Sequence, residues 1–83
     1  MAHFAQISNG IVQRVIVVSN DDCGGGNFPN SEPIGQEFIA SIGLSGEWVQ
    51  TSYSASFRSR YAGIGDTFTG TEFVAPEPDD ATL

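Results

Sequence analysis

The stretch His3-Phe4-Ala5-Gln6-Ile7-Ser8-Asn9-Gly10-Ile11-Val12-Gln13-Arg14-Val15-Ile16-Val17-Val18 decides how the chain is read. Two β-rich runs, 3–8 and 11–18, flank Asn9-Gly10. Asn-Gly between such runs is the strongest short-range hairpin signal, because both central residues of a type I′ turn need positive φ. A two-residue loop sets Ser8 opposite Ile11, Ile7 opposite Val12 and Phe4 opposite Val15. The second run ends apolar on both faces, with Val15 and Val17 on one and Ile16 and Val18 on the other. That pattern belongs to a strand buried on two sides. A helix can cover one face. The other then needs a second sheet layer, a curled sheet or another subunit.

Beyond this hairpin, residues 20–33 read as a loop. Gly24-Gly25-Gly26, Asn27, Pro29 and Asn30 work against regular structure. A helix over 32–42 follows, with Ser31 as N-cap and Glu32 and Pro33 in the first turn. Ile34, Phe38 and Ile42 share one face and are expected to be the buried stripe. Gly43 stands where a left-handed C′ residue belongs, which would fold Leu44 back onto Ile39 in a Schellman motif.

After Ser45-Gly46, a strand is expected over Glu47–Tyr53. A second, over Phe57–Ala62, would pair back across Ser54-Ala55-Ser56. Gly63-Ile64-Gly65 reads as a bend or bulge. Short strands at Asp66–Phe68 and Glu72–Ala75 then close a last hairpin across Thr69-Gly70. The sum is an α+β fold with one short helix, and an antiparallel sheet or partly open barrel of five to six strands. Residues 1–75 make a single domain and 76–83 an acidic, proline-containing tail.

The totals exclude several function classes. Eighty-three residues allow one domain, which buries roughly 60–65% of its unfolded surface and has little core to spare for a deep cleft. Ten Asp and Glu against three Arg, with no Lys, give a net charge of −7. Such a balance repels phosphate backbones and anionic membranes, so neither nucleic acid nor membrane is an expected partner. It favours a basic protein surface instead. Cys23, the only cysteine, cannot form an internal disulfide. The longest apolar run, Val15–Val18, is too short to span a bilayer. No basic region precedes an apolar stretch at the N-terminus, so no signal peptide is expected.

Catalytic tools are few. His3 is the only histidine; it reads as a metal ligand or base only if a partner acid lies beside it, and otherwise as a polar residue on an edge strand. Asp21-Asp22-Cys23-Gly24-Gly25-Gly26-Asn27 offers oxygen ligands on a flexible loop. It lacks the spacing and the closing Glu of the twelve-residue calcium loop, so a solvated loop is the plainer reading. The two carboxylates beside Cys23 should raise its pKa and suppress the thiolate. No phosphate-binding glycine pattern is present, and no motif singles out a carboxylate pair. No cofactor, no metal and no catalytic residue is therefore expected.

The remaining cluster is Trp48, Tyr53, Phe57, Arg58, Arg60 and Tyr61. Trp, Tyr and Arg are the types enriched at interface hot spots. With Val15 and Val17 they form the expected interface set. The plainer reading puts Trp and Phe in the core with Arg and Tyr on strand surfaces.

Trp48-Val49-Gln50-Thr51-Ser52-Tyr53, followed by Phe57-Arg58-Ser59-Arg60-Tyr61-Ala62-Gly63-Ile64-Gly65, is similar to a block found in small proteins of cyanophages and other marine tailed phages. Met1-Ala2-His3-Phe4-Ala5 resembles their start, and Phe73, Pro76 and Pro78 their ending. The chain departs from that pattern at Asp66, where an aromatic is usual, and at Ser54-Ala55-Ser56, where Asn-Gly-Asn is common. The resemblance implies a non-enzymatic structural or virion-associated module that contacts copies of itself or other phage structural proteins. It also implies synthesis in the host cytoplasm and a place in the virion. A phage-encoded protein acting on a host factor is the alternative. The resemblance carries over no catalytic residues.

Overall fold

The computed structural model describes residues 2–76. Strands β1 (Ala2–Ser8) and β2 (Ile11–Val18) form the expected hairpin. Asn9 and Gly10 take φ of 53° and 78°, as a type I′ turn requires. The pairing begins as the loop dictates, with Ser8 on Ile11 and Ile7 on Val12, and then shifts at a β-bulge between Gln6 and Ile7. Beyond it Phe4 faces Ile16, not Val15, and Ala5 faces Val15. The extra residue has a physical purpose. Continued without it, the register would set Arg14 opposite Ala5, which is fully buried. The bulge moves Arg14 opposite Gln6, whose Oε1 accepts a hydrogen bond from Arg14 Nε at 3.0 Å.

The other strands are β3 (Glu47–Thr51), β4 (Thr67–Phe68) and β5 (Phe73–Val74), in the sheet order β3-β1-β2-β4-β5. Every pairing is antiparallel. With one helix, α1 (Ser31–Ser41), this is a small α+β fold built on an open five-stranded sheet, so of the two expected architectures the open sheet holds and the barrel does not. The tail expected at 76–83 lies outside the described residues apart from Pro76.

Both sheet faces carry a covering layer, but the far end of β2 is not buried on two sides as expected: Val18 is buried, Val15 and Ile16 are half-buried and Val17 is exposed, because the covering layers do not reach it. Helix α1 and the turn at Asp21–Cys23 cover one, burying Ala2, Phe4, Val18, Cys23, Ile39 and Trp48 together. The chain after β3 covers the other, where Ala5, Ile7, Val12 and Val49 meet Ala62 and Phe73. A single short chain thus supplies both layers.

The helix corrects the expected stripe. Its buried residues are Ser31, Gly35 and Ile39, while Ile34 and Ile42 are 46% and 54% exposed. Close approach decides this. A Cβ on Gly35 would sit 2.3 Å from a ring carbon of Phe4, so only glycine lets the helix lie against that ring. Ser31 is the first helical residue and not the cap. Its hydroxyl points into the fold and donates to Gln50 Oε1 at 2.7 Å. The other end forms as expected: Gly43 has φ 89°, its N–H donates to Ala40 O at 3.1 Å, and Leu44 N–H donates to Ile39 O at 3.3 Å, the paired bonds of a Schellman motif.

Two other expectations change. The 20–33 loop holds one 3-10 turn at Asp21–Cys23. Strand β3 stops at Thr51, not Tyr53, and no strand forms over 57–62. Arg58 and Ser59 have φ of 57° and 73°, which breaks any extended run there.

Candidate functional site

The sequence-expected site residues fall into four places. Trp48 is core. It is 4% exposed, and its indole N–H donates to Ser45 O at 3.1 Å. Arg14 lies over its ring, 5.3 Å from the centroid.

Arg58 and Phe57 belong to a second place, at the free edge of β3. The pairing of β3 with β1 leaves the backbone groups of Trp48 and Gln50 pointing outward. Side chains meet them there. Glu32 Oε2 accepts Gln50 N–H at 2.7 Å, Arg58 Nη1 donates to Gln50 O at 2.8 Å, and Gln36 Nε2 donates to Trp48 O at 2.5 Å. Arg58 and Glu32 also form a two-armed ion pair: Nη1 bonds Oε2, and Nη2 donates to Oε1 at 3.0 Å. Carboxylate and guanidinium together replace the carbonyl and N–H that a neighbouring strand would offer, so the edge is closed without a strand. The guanidinium also sits 4.8 Å from the Phe28 ring centroid, and Phe28 stacks on Phe57 at 3.8 Å, almost parallel. Beside this stack lies a groove of about 440 Å³ lined by Cys23, Asn27, Phe28, Ser31, Gln50 and Phe57. Burial, and then the Asp22 carboxylate, push the Cys23 thiol above its ordinary pKa, which makes it a poor nucleophile.

The third place is an aromatic surface on the opposite sheet face. Tyr53, Tyr61 and His3 pack ring on ring, with centroids 5.3–5.6 Å apart. Tyr53 is 75% exposed. Val17 pairs with His3 across the hairpin and is 52% exposed, and half-buried Val15 lies further along the same strand face. Four of the expected interface residues, Val15, Val17, Tyr53 and Tyr61, therefore share one face. Burial lowers the His3 pKa, so its ring is neutral at pH 7 and joins the patch as an aromatic.

Arg60 reaches Asp66 instead, with Nε 3.3 Å from Oδ2. Asp66 is 2% exposed, and its Oδ2 also accepts Gly63 N–H at 2.9 Å. Asp66 is thus the carboxylate that holds the 63–66 turn. Glu32, Gln36, Gln50, Thr51 and Asp66 were not singled out from sequence as site residues. Only Glu32 carried a local signal, as a helix first-turn acid.

Among the described residues, no group of three or more His, Cys, Asp or Glu is placed to hold a metal ion. Nor is any helix there long and apolar enough to cross a membrane. The fold and these surfaces define a small α+β domain with a side-chain-sealed edge and an exposed aromatic patch. No protein-family model matches the chain, and neither a curated protein nor a solved structure matches it.

Proposed function

We propose that the chain is a non-enzymatic phage structural or virion-associated module that works through protein–protein contacts, with copies of itself or with other phage structural proteins. The observation that carries the contact part is the exposed patch of Tyr53, Tyr61, His3 and Val17. Rigid tyrosines beside a branched aliphatic supply large contact area at low entropic cost. The phage part rests on the resemblance of the 48–65 block. Mass spectrometry of purified particles tests the reading. Structural copy number is the expected result, and absence from the particle overturns it. A second reading, binding to a host factor, draws on the net charge of −7. Capture of a basic host protein from lysate, lost with Tyr53→Ala, would favour it over the first.

A further inference from the structure

Among the described residues, strand β2 has an open edge beyond Val12, and its chemistry fits a second copy of this chain. In a strand, residues on one face send their N–H and C=O groups to the same side. Val12 sends its own away from β1: its N–H donates to Asp66 O at 2.8 Å and its carbonyl accepts Gly65 N–H at 2.9 Å. Val15 shares the face of Val12 in the core, and Val17 lies on that face two residues further on. Their backbone groups therefore point the same way. Strand β4 pairs with β2 only at Ile11, so nothing among the described residues meets Val15 or Val17 there. The contrast with β3 is direct, because that edge is sealed by Glu32, Arg58 and Gln36.

We infer that two copies of the chain join antiparallel along this edge of β2, making one continuous sheet about a two-fold axis. This inference rests on the reading of the chain as an assembly module and names the surface it would use. The edge is self-complementary. With Ile16 on the axis, Val15 of each copy faces the partner's Val17, and each such pair exchanges both of its N–H···O=C bonds. Residues 15–17 are Val-Ile-Val, so apolar side chains oppose apolar ones on both faces, while Val18 of each copy lies opposite the partner's Arg14 at the rim. A chain of net charge −7 repels its copy, but Ile11–Val18 holds no acid and its only charge is Arg14. Repulsion is therefore weakest along this strand, and salt that screens it strengthens the pairing. The patch of His3, Tyr53 and Tyr61 lies on the inner side of Val17, over β1, and stays outside the strand-to-strand contact.

The test is the solution mass of the full chain by sedimentation over a range of concentration, at low and high salt. The expected result is a mass that moves from one chain to two as concentration rises, at lower concentration in high salt. Val17→Pro removes only an outward donor and leaves the β1 ladder intact. Val17→Lys places a charge at an exposed edge position and guards against a folding defect in the proline variant. Each should weaken association at least about tenfold with an unchanged circular dichroism spectrum, while Ile34→Lys on the helix should leave it unchanged. A single-chain mass at every concentration overturns the inference, and so does a dimer that survives both Val17 variants. Particle mass spectrometry judges the assembly reading separately, so failure of one is distinguishable from failure of the other.

Discussion

Single residues here act through close contact and through shared hydrogen bonds. Gly35 is the clearest case. In an exposed helix position, Gly→Ala stabilises by roughly 1 kcal/mol. Here the added methyl would meet the fully buried ring of Phe4 at 2.3 and 2.7 Å and Cys23 Sγ at 3.0 Å. Gly35→Ala should therefore destabilise, by about 1–3 kcal/mol, as read by urea unfolding. Arg58 and Glu32 are a mostly buried pair, with side chains 15% and 17% exposed. Removing either partner strands the other together with a backbone group of Gln50. Arg58→Ala and Glu32→Ala should each cost about 2–4 kcal/mol, and a double-mutant cycle should show strong coupling. Half-buried His3 and buried Cys23 bracket the pH range of best stability. Burial lowers the His3 pKa, so its contribution is present above about 6.5 and is lost as pH falls through the depressed value. Burial and Asp22 raise that of Cys23, so its contribution is present below about 9.0 and is lost as pH rises through the raised value. Melting followed across pH should fall off on the acid side less in His3→Phe than in the parent.

At the scale of elements, the chain after β3 holds its place by side-chain bonds where a strand would use a ladder. Thr51 Oγ1 accepts Ala62 N–H at 2.9 Å and donates to Arg60 O at 3.4 Å. Ser52 Oγ accepts Ser56 N–H at 3.1 Å. These bonds pin residues 52–62 over the core formed by Ala5, Val49 and Ala62. Thr51→Val keeps the shape and leaves the Ala62 N–H unpaired, at a cost of about 1–3 kcal/mol. Hydrogen exchange should then speed up in the 56–63 segment well before it does in β1, because the segment loosens as a unit. The helix shows a related economy. Ser31, Gly35 and Ile39 bury one narrow face, and Glu32 and Gln36 on its flank close the edge of β3.

At the scale of the molecule, charge and exposed surface work against each other. The net charge of −7 keeps copies apart, while Ile34, Ile42, Val17, Tyr53 and Ile64 leave apolar side chains in water. Screening the self-repulsion with salt should raise the melting temperature of the parent chain in scanning calorimetry. If added salt lowers it instead, ion pairs such as Arg58–Glu32 and Arg60–Asp66 outweigh the repulsion.

Local chemistry was enough to place the Asn9-Gly10 hairpin, the helix with its Gly43 stop, the last short hairpin and the antiparallel α+β class. Turn φ angles, capping and alternation act over a few residues and need no partner. The expected two-sided burial of the far end of β2 held only in part, since Val17 stays exposed. Tertiary contact decided the rest. The buried stripe of α1 moved by one residue because Gly35 admits Phe4, a fit that no periodicity encodes. The hairpin gained a bulge because Arg14 had to clear the core. Of the expected interface set, Trp48 went to the core, while Arg58 and Phe57 went to the β3 edge with Glu32 and Phe28. Tyr53, Tyr61, Val15 and Val17 were left on one face around His3. Residue type announces that a side chain can bind. Only the packing of segments distant in sequence decides whether its partner is already inside the chain.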